Sequence, residues 1–227
     1  MISKIVQKLR GEDVQIGEFS RYELFIIVMA KIKSLIYGNF RYGLLKSKIG
    51  FYFIHPSSIL VNTRKMKFFP SVTIGRKVKI NALGAKNMKF GKNFSIRDYS
   101  IIESFGSIKK EGGTLQVGNN VGISELCHFA IRGDVSIGND VIFGPKCMIF
   151  SENHGMKLSE TPFRLQDEVR QNVQIGNNVW LGANVIILPG TIIEDNCIIA
   201  AGSVVNKLIE SNSVYAGAPA KKIKDLK

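Results

Sequence analysis

Six aliphatic residues, Ile175, Leu181, Ile187, Ile193, Ile199 and Val205, recur at intervals of six, and no other feature of the chain restricts its fold as much. The position four residues after the aliphatic is small or β-branched in turn, as Val179, Val185, Thr191, Cys197 and Ser203. Gly176, Gly182 and Ala200 follow three of the aliphatics directly. The same unit recurs upstream at Ile74-Gly75 with Val78, Phe90-Gly91 with Phe94, Val117-Gly118 with Val121, Ile137-Gly138 with Val141, and Phe143-Gly144 with Cys147. A six-residue unit cannot bury its own apolar face, so it must stack on copies of itself. The pattern predicts an all-β solenoid over most of residues 72–205. It would be a prism of short parallel strands about 4.8 Å apart, aliphatics inward, with small residues letting the chain bend at the corners.

The period breaks once at length. The spacing from Ile149 to Ile175 is not a multiple of six, and the stretch between them, 150–174, carries Glu152, Asn153, His154, Arg164 and Arg170. A long irregular segment between regular coils points to function, since loops held by a rigid scaffold carry chemistry. A second irregular stretch, 105–115, is rich in Lys and Gly and reads as a smaller bulge. Residues 1–50 read as a basic appendage with helices at 3–10 and 21–37 and with Arg41, Lys46 and Lys48 after them. The second helix mixes apolar residues with Lys31 and Lys33. It would pack on its own domain or a neighbouring subunit, or lie on an anionic membrane surface. The predicted organisation is therefore an appendage at 1–50, a β-helix at 51–210 with an excursion at 150–174, and a tail at 211–227.

Charged residues at 22% and hydrophobic ones at 45% describe a chain that folds, and exclude disorder and a polytopic membrane protein. The net charge of +13 favours an anionic partner. Nucleic acid is disfavoured, because no recognised binding motif gathers the basic residues and a solenoid has no groove-reading helix. No early run reaches the ~20 apolar residues of a spanning helix. Cys127, Cys147 and Cys197 are odd in number and form no CxxC, and no cleavable secretory signal is visible; both features suggest a reducing, cytoplasmic setting. Each cysteine falls four residues after a repeat aliphatic, the slot of a small buried side chain. His55, His128 and His154 are widely separated and nothing has close ligand spacing, so no metal site is expected.

The run from Ile175 through Trp180, Gly182, Ala183 and Pro189 to Gly190, then Ala200-Ala201-Gly202-Ser203-Val204-Val205-Asn206-Lys207, then Ala216-Gly217-Ala218-Pro219-Ala220-Lys221, closely resembles the hexapeptide-repeat acyltransferases. The resemblance implies a left-handed parallel β-helix, a homotrimer with active sites between subunits, and acetyl-CoA as co-substrate. Within that family the chain looks most like bacterial sugar and polysaccharide O-acetyltransferases related to the maltose and galactoside enzymes. Those place a histidine in the loop before the Val-Trp coil, and His154, in Ser151-Glu152-Asn153-His154-Gly155, stands there. It would act as general base, since a side chain with a pKa near ~6.5 suits a weakly acidic hydroxyl at neutral pH. Glu152 or a backbone carbonyl would orient it.

By the same carry-over, coenzyme A would contact Trp180, Gly182, Ala183, Ala201, Gly202, Asn206, Lys207, Lys221 and Lys224. His128, Glu152, Asn153 and Arg164 would face the acceptor, while His55 lies outside the repeat. Glu194 and Ala200 depart from the family's usual glycines. The implied activity is acetyl transfer to a hydroxyl of a capsule, O-antigen or exopolysaccharide sugar. The alternatives are N-acetylation of a nucleotide-linked amino sugar and a β-helical scaffold without catalysis. The expected location is the cytoplasm, with the basic appendage at 1–50 compatible with a place at the inner face of the membrane.

Overall fold

A computed structural model describes residues 19–43, 50–69, 71–104 and 110–227. The expected helix at 3–10, Lys46, Lys48 and part of the bulge at 105–115 fall outside those residues. The strands form three long sheets. In the first, eight parallel strands run from Tyr52–Ile54 to Ser213–Ala216, and Lys221–Asp225 closes the edge antiparallel to the last of them. Seven parallel strands from Ile59–Val61 to Val204–Val205 make the second sheet, and seven from Met66–Phe68 to Leu208–Ile209 the third. Strands consecutive in sequence never pair within these three sheets until the closing strand. Each pairs with its counterpart a full coil away, which is the solenoid the period requires.

All six spacing aliphatics and all five small residues four places on are buried, as are the three free cysteines. A hydrogen bond with Cys147, then burial, holds the Cys127 thiol above its usual range, and burial pushes Cys197 up. Neither is activated as a nucleophile. Polar side chains inside the prism are bonded: Ser100 donates to Ser124 O at 2.9 Å and Thr191 to Val205 O at 3.0 Å.

The corners differ from the sequence expectation in one respect. Apart from Gly190 and Gly202, small residues do not make the bends of the final run. A residue with positive φ three places after the inward aliphatic makes them, such as Asn120, Asp140, Asn178, Asn196 and Asn212 at the corner joining sheets three and one. Asn tolerates that conformation because its short polar side chain bonds locally. Here Asn178 donates to Asn196 at 2.8 Å and Asn196 to Asn212 at 2.9 Å. The glycine before each Asn pair has another task. A Cβ on Gly138 would stand 2.5 Å from Gly176 O on the next coil, so glycine permits the close stacking. The residue between caps a backbone: Asn139 N donates to Asn177 Oδ1 at 2.8 Å. Glu194, in the glycine column one coil before its last member Glu210, turns its carboxylate to accept from Ser211 N at 2.9 Å on that coil.

The first coil begins at Tyr52–Ile54, well before Ile74, where the period becomes legible, so His55, expected outside the repeat, sits at a corner of the solenoid. Helix α1, Arg21–Gly38, precedes it, capped by a reciprocal Ser20–Glu23 pair. Gly38 is pressed against Tyr52, and Tyr42 closes the core, its hydroxyl accepting from Phe68 N at 2.9 Å.

Candidate active site

The excursion leaves the solenoid at the corner between sheets two and three. Ser151, fully buried, fixes its start: its hydroxyl oxygen accepts from Arg132 N at 2.9 Å and Gly133 N at 3.0 Å and donates to Ala130 O at 3.1 Å. Two residues then pair antiparallel with the returning chain, Glu152–Asn153 against Val169–Arg170. Glu152 faces Arg170 across this short ladder and accepts from its Nε at 2.8 Å, a half-buried ion pair. Arg170 also donates to Glu111 O, and Lys110 lies 3.6 Å from Glu168, so the base of the excursion is tied to the irregular segment two coils earlier. Further out, Gln166 binds Lys157 N and O and Thr161 O and folds the loop on itself.

His154 stands just beyond the hairpin, exposed, with its ring free of hydrogen bonds among the described residues. Glu152 is therefore not the partner that orients it. Its carboxylate is directly opposite a guanidinium, the closest opposite charge a hairpin can offer. Asn153 is exposed on the same hairpin, and Arg164 is exposed on the 3-10 turn Phe163–Leu165 at the far side of the loop.

His128 lies on the outer face of sheet two, in the strand His128–Ala130 next to Met148–Phe150, which leads into the excursion. Its Nε2 is buried without a hydrogen-bond partner among the described residues and stands 3.6 Å from Glu103 Oε1. Arg132 reaches the same oxygen at 3.5 Å and donates to Glu103 O at 3.2 Å. The sequence reading gave no role to Glu103, Arg132 or Ser151. The partners of this cluster are separated by an irregular coil, so no fixed spacing joins them. Ser151 could have been suspected as the last small residue before the period fails.

The coenzyme-side residues fall on separate surfaces. Gly182 and Ala183 lie under Ala201 and Gly202 at the corner between sheets one and two, and Gly202 N donates to Ala183 O at 2.8 Å. Trp180 is outward and 54% exposed between Ile142 and Ile198 on sheet one. Asn206 and Lys207 are exposed at the other end of sheet two, at the corner of the excursion, two coils on. Lys221 and Lys224 are exposed on the closing strand, opposite Ala216 and Val214. One chain thus presents two walls with sheet two between them.

The family description "Bacterial transferase hexapeptide (six repeats)" matches residues 172–207. WbbJ of Escherichia coli K12, named as a candidate lipopolysaccharide biosynthesis O-acetyl transferase, is 35% identical over 145 residues, 61% of this chain and 71% of that protein. The chain belongs to the hexapeptide-repeat acyltransferase family. Its fold is accordingly the left-handed parallel β-helix, the exception to the right-handed rule for parallel crossovers. The galactoside O-acetyltransferase of E. coli K12 is 34% identical over 122 residues, 51% of this chain and 56% of that protein. A maltose O-acetyltransferase from Clostridium difficile 630 superposes with a TM-score of 0.50 at 25% identity, over 72% of each chain. A galactoside acetyltransferase in complex with coenzyme A shares the fold at 22% identity and a TM-score of 0.50, over 86% of this chain and 84% of that one.

Among the described residues, no three His, Cys, Asp or Glu side chains gather as metal ligands, and no helix is long and apolar enough to cross a membrane.

Proposed function

We propose that this protein transfers the acetyl group of acetyl-CoA to a sugar hydroxyl of a bacterial surface polysaccharide or its precursor, with His154 as general base. The observation that carries the reading is His154 itself. It stands exposed just beyond a hairpin pinned by Ser151 and the Glu152–Arg170 pair, at the longest interruption of the solenoid. The names of the E. coli and C. difficile relatives support a sugar acceptor.

Acetyl-CoA fits the surfaces offered. The stacked corner at Gly182, Ala183, Ala201 and Gly202 is shallow, and a Cβ at Gly202 would meet nothing within 4 Å, so there is room for a pantetheine arm. Lys207, Lys221 and Lys224 would meet phosphates as point charges. Acetyl-CoA supplies an activated acetyl thioester. His154 accepts the proton of the acceptor hydroxyl as its oxygen attacks, holds it, and returns it to the departing sulfur. Backbone N–H groups beside the corner stabilise the developing negative oxygen. The Glu103–His128–Arg132 cluster and Asn153 line the acceptor side, and Arg164 reaches it from the loop.

The two walls of one chain are completed by neighbouring copies, in a homotrimer working in the cytoplasm at the inner face of the membrane. The test is a calorimetric titration with acetyl-CoA and an acceptor screen, run beside His154→Ala. Binding by both proteins and ester formation only by the wild type is expected. Exclusive amide product would move the reading to N-acetylation, and absence of binding by either protein would leave a scaffold.

A further inference from the structure

The charge of the chain is not spread along it. Residues 19–100 carry 16 Lys and Arg against Glu23 and Asp98 alone, whereas residues 101–227 carry 12 against 13. Both acids at the basic end are engaged: Asp98 pairs with Arg76 at 2.7 Å, and Glu23 folds back onto Ser20. At this same end, α1 is apolar on two sides. Leu24, Val28, Leu35 and Gly38 turn toward the first coil and are half-buried or buried. On the other side Tyr22, Phe25, Met29, Ile32, Ile36 and Phe40, three or four residues apart, are between 43 and 72% exposed. With Pro56, four of them line a groove of about 540 Å³ that also holds Lys33 and Tyr37.

A helix with one face on its own domain and a second apolar face outward has that second face for something else. Helical geometry sets Arg21 on one flank of the stripe and Lys33 on the other, with Glu23 turned away from it. Basic side chains so placed lay their stems along an apolar surface and extend their charges to its rim.

We propose that this face docks on an anionic lipid bilayer, α1 lying in the interface with the stripe from Tyr22 to Phe40 toward the acyl chains and the basic coils toward lipid phosphates. Helix α1 is not long and apolar enough to cross the bilayer, so it lies on it. A second copy of α1 would cover the stripe, but would set like charges together and leave the basic coils uncompensated. An anionic bilayer satisfies both observations.

One consequence rests on the acyl-transfer proposal. The strand before the excursion, Met148–Phe150, is the fifth in sheet two, four steps from Ile59–Val61 in the first coil. At about 4.8 Å per step, His154 stands roughly 20 Å along the solenoid from the coil that carries α1. An acceptor sugar carried some way out from a lipid, in a lipid-linked glycan, fits that height better than a lipid headgroup does.

The experiment is vesicle flotation of the full chain, with phosphatidylcholine alone or with about 30% phosphatidylglycerol. It is run beside the variant Phe25→Gln, Ile32→Gln, Ile36→Gln, whose changes are all exposed. Wild type should float with the anionic vesicles only, less at high salt, and the variant should lose at least tenfold in binding with its melting temperature kept. No flotation with anionic vesicles would overturn the proposal, as would equal flotation by the variant. A drop in solution mass of the variant by light scattering would assign the stripe to a second copy instead. Equal binding of both proteins to a soluble acidic polysaccharide, with none to vesicles, would assign the basic coils to a polyanion. Calorimetry with acetyl-CoA on the same samples reads the acyl-transfer proposal separately.

Discussion

Two corners of the prism keep one length through every coil, while the third changes almost every time. Between sheets one and two, and between three and one, the inward residues of successive strands are always four apart, as in Ile74 to Val78, Phe143 to Cys147, Ile137 to Val141 and Ile193 to Cys197. Between sheets two and three the chain runs from Leu60 to Met66, from Ile80 to Met88, from Ile102 to Leu115 and from Ile149 to Val173 before it settles at Ile187 to Thr191. The regular corners are fixed by contacts between coils, through glycines that admit a neighbouring backbone and asparagines that bond along the axis. Coils also meet at the variable corner, through Gly113 and Gly133, but the chain between the inward residues changes length there while the strands on either side keep their pairing, and the proposed site sits at its longest excursion. A rigid scaffold with one permissive edge is how a solenoid gains a site without losing its core.

The sharpest way to separate the two kinds of corner is to remove His154. Replacement by Ala should lower acetyl transfer by roughly 10²- to 10⁴-fold, the usual contribution of a positioned base, with thermal stability unchanged. Steady-state rates beside a melting curve read both. A fall in melting temperature with the rate preserved would make His154 part of the scaffold. At a regular corner the expectation reverses. Gly138→Ala forces a Cβ to 2.5 Å from Gly176 O and should destabilise by about 2–3 kcal/mol. Gly202→Ala meets open space and should cost only about 1 kcal/mol, for its φ of +73°. Denaturant unfolding orders the two, and equal losses would undo the stacking argument.

Ser151 lies on the boundary between scaffold and site. Its hydroxyl serves two backbone donors and one acceptor, so Ser151→Ala leaves buried polar groups unpaired and should destabilise by about 1–3 kcal/mol. Because it also fixes where the excursion begins, kcat should fall while the affinity for acetyl-CoA holds. A variant that loses stability but keeps kcat would confine Ser151 to the scaffold.

The solenoid was readable because its period is short and its inward slots accept few residue types; every inward position from Ile175 to Val205 is buried as the spacing predicts. Helix α1 was expected at 21–37 from its apolar residues mixed with Lys31 and Lys33, and the reciprocal Ser20–Glu23 cap is what fixes its start. The hexads of the first coil were not readable, although the β-helix was expected from residue 51, because extra residues between Leu60 and Met66 and the His55-Pro56 corner hide the period. His154, which the structure places exposed on the excursion, was legible as a histidine at a break in the period. Its surroundings were not: Glu103 reaches His128 from the preceding coil, and Glu152 turns to Arg170 across a hairpin whose register no local pattern reveals. Side-chain partners across coils depend on coil length, and at the variable corner coil length is what the sequence leaves open.

The smallest expected effect tests whether regular corners also depend on charge. Asp98 sits at the corner between sheets one and two. Burial pushes its carboxyl up, but hydrogen bonds from Arg76 N and Nε, both at 2.7 Å, and the guanidinium charge together hold it below the usual carboxylate range. A carboxyl depressed in the folded state adds stability at every pH above its unfolded value, near ~3.9, and loses it as pH falls through the folded value. Asp98→Asn should therefore melt below wild type at neutral pH, by a small margin because the pair is partly exposed. The two curves should converge only under strongly acid conditions. A difference that persisted after the carboxyl is protonated would mean that the Asp98 oxygen accepting from Arg76 N matters for its shape and not its charge. The corner between sheets one and two would then be held as the asparagine corner is, by neutral hydrogen bonds between coils.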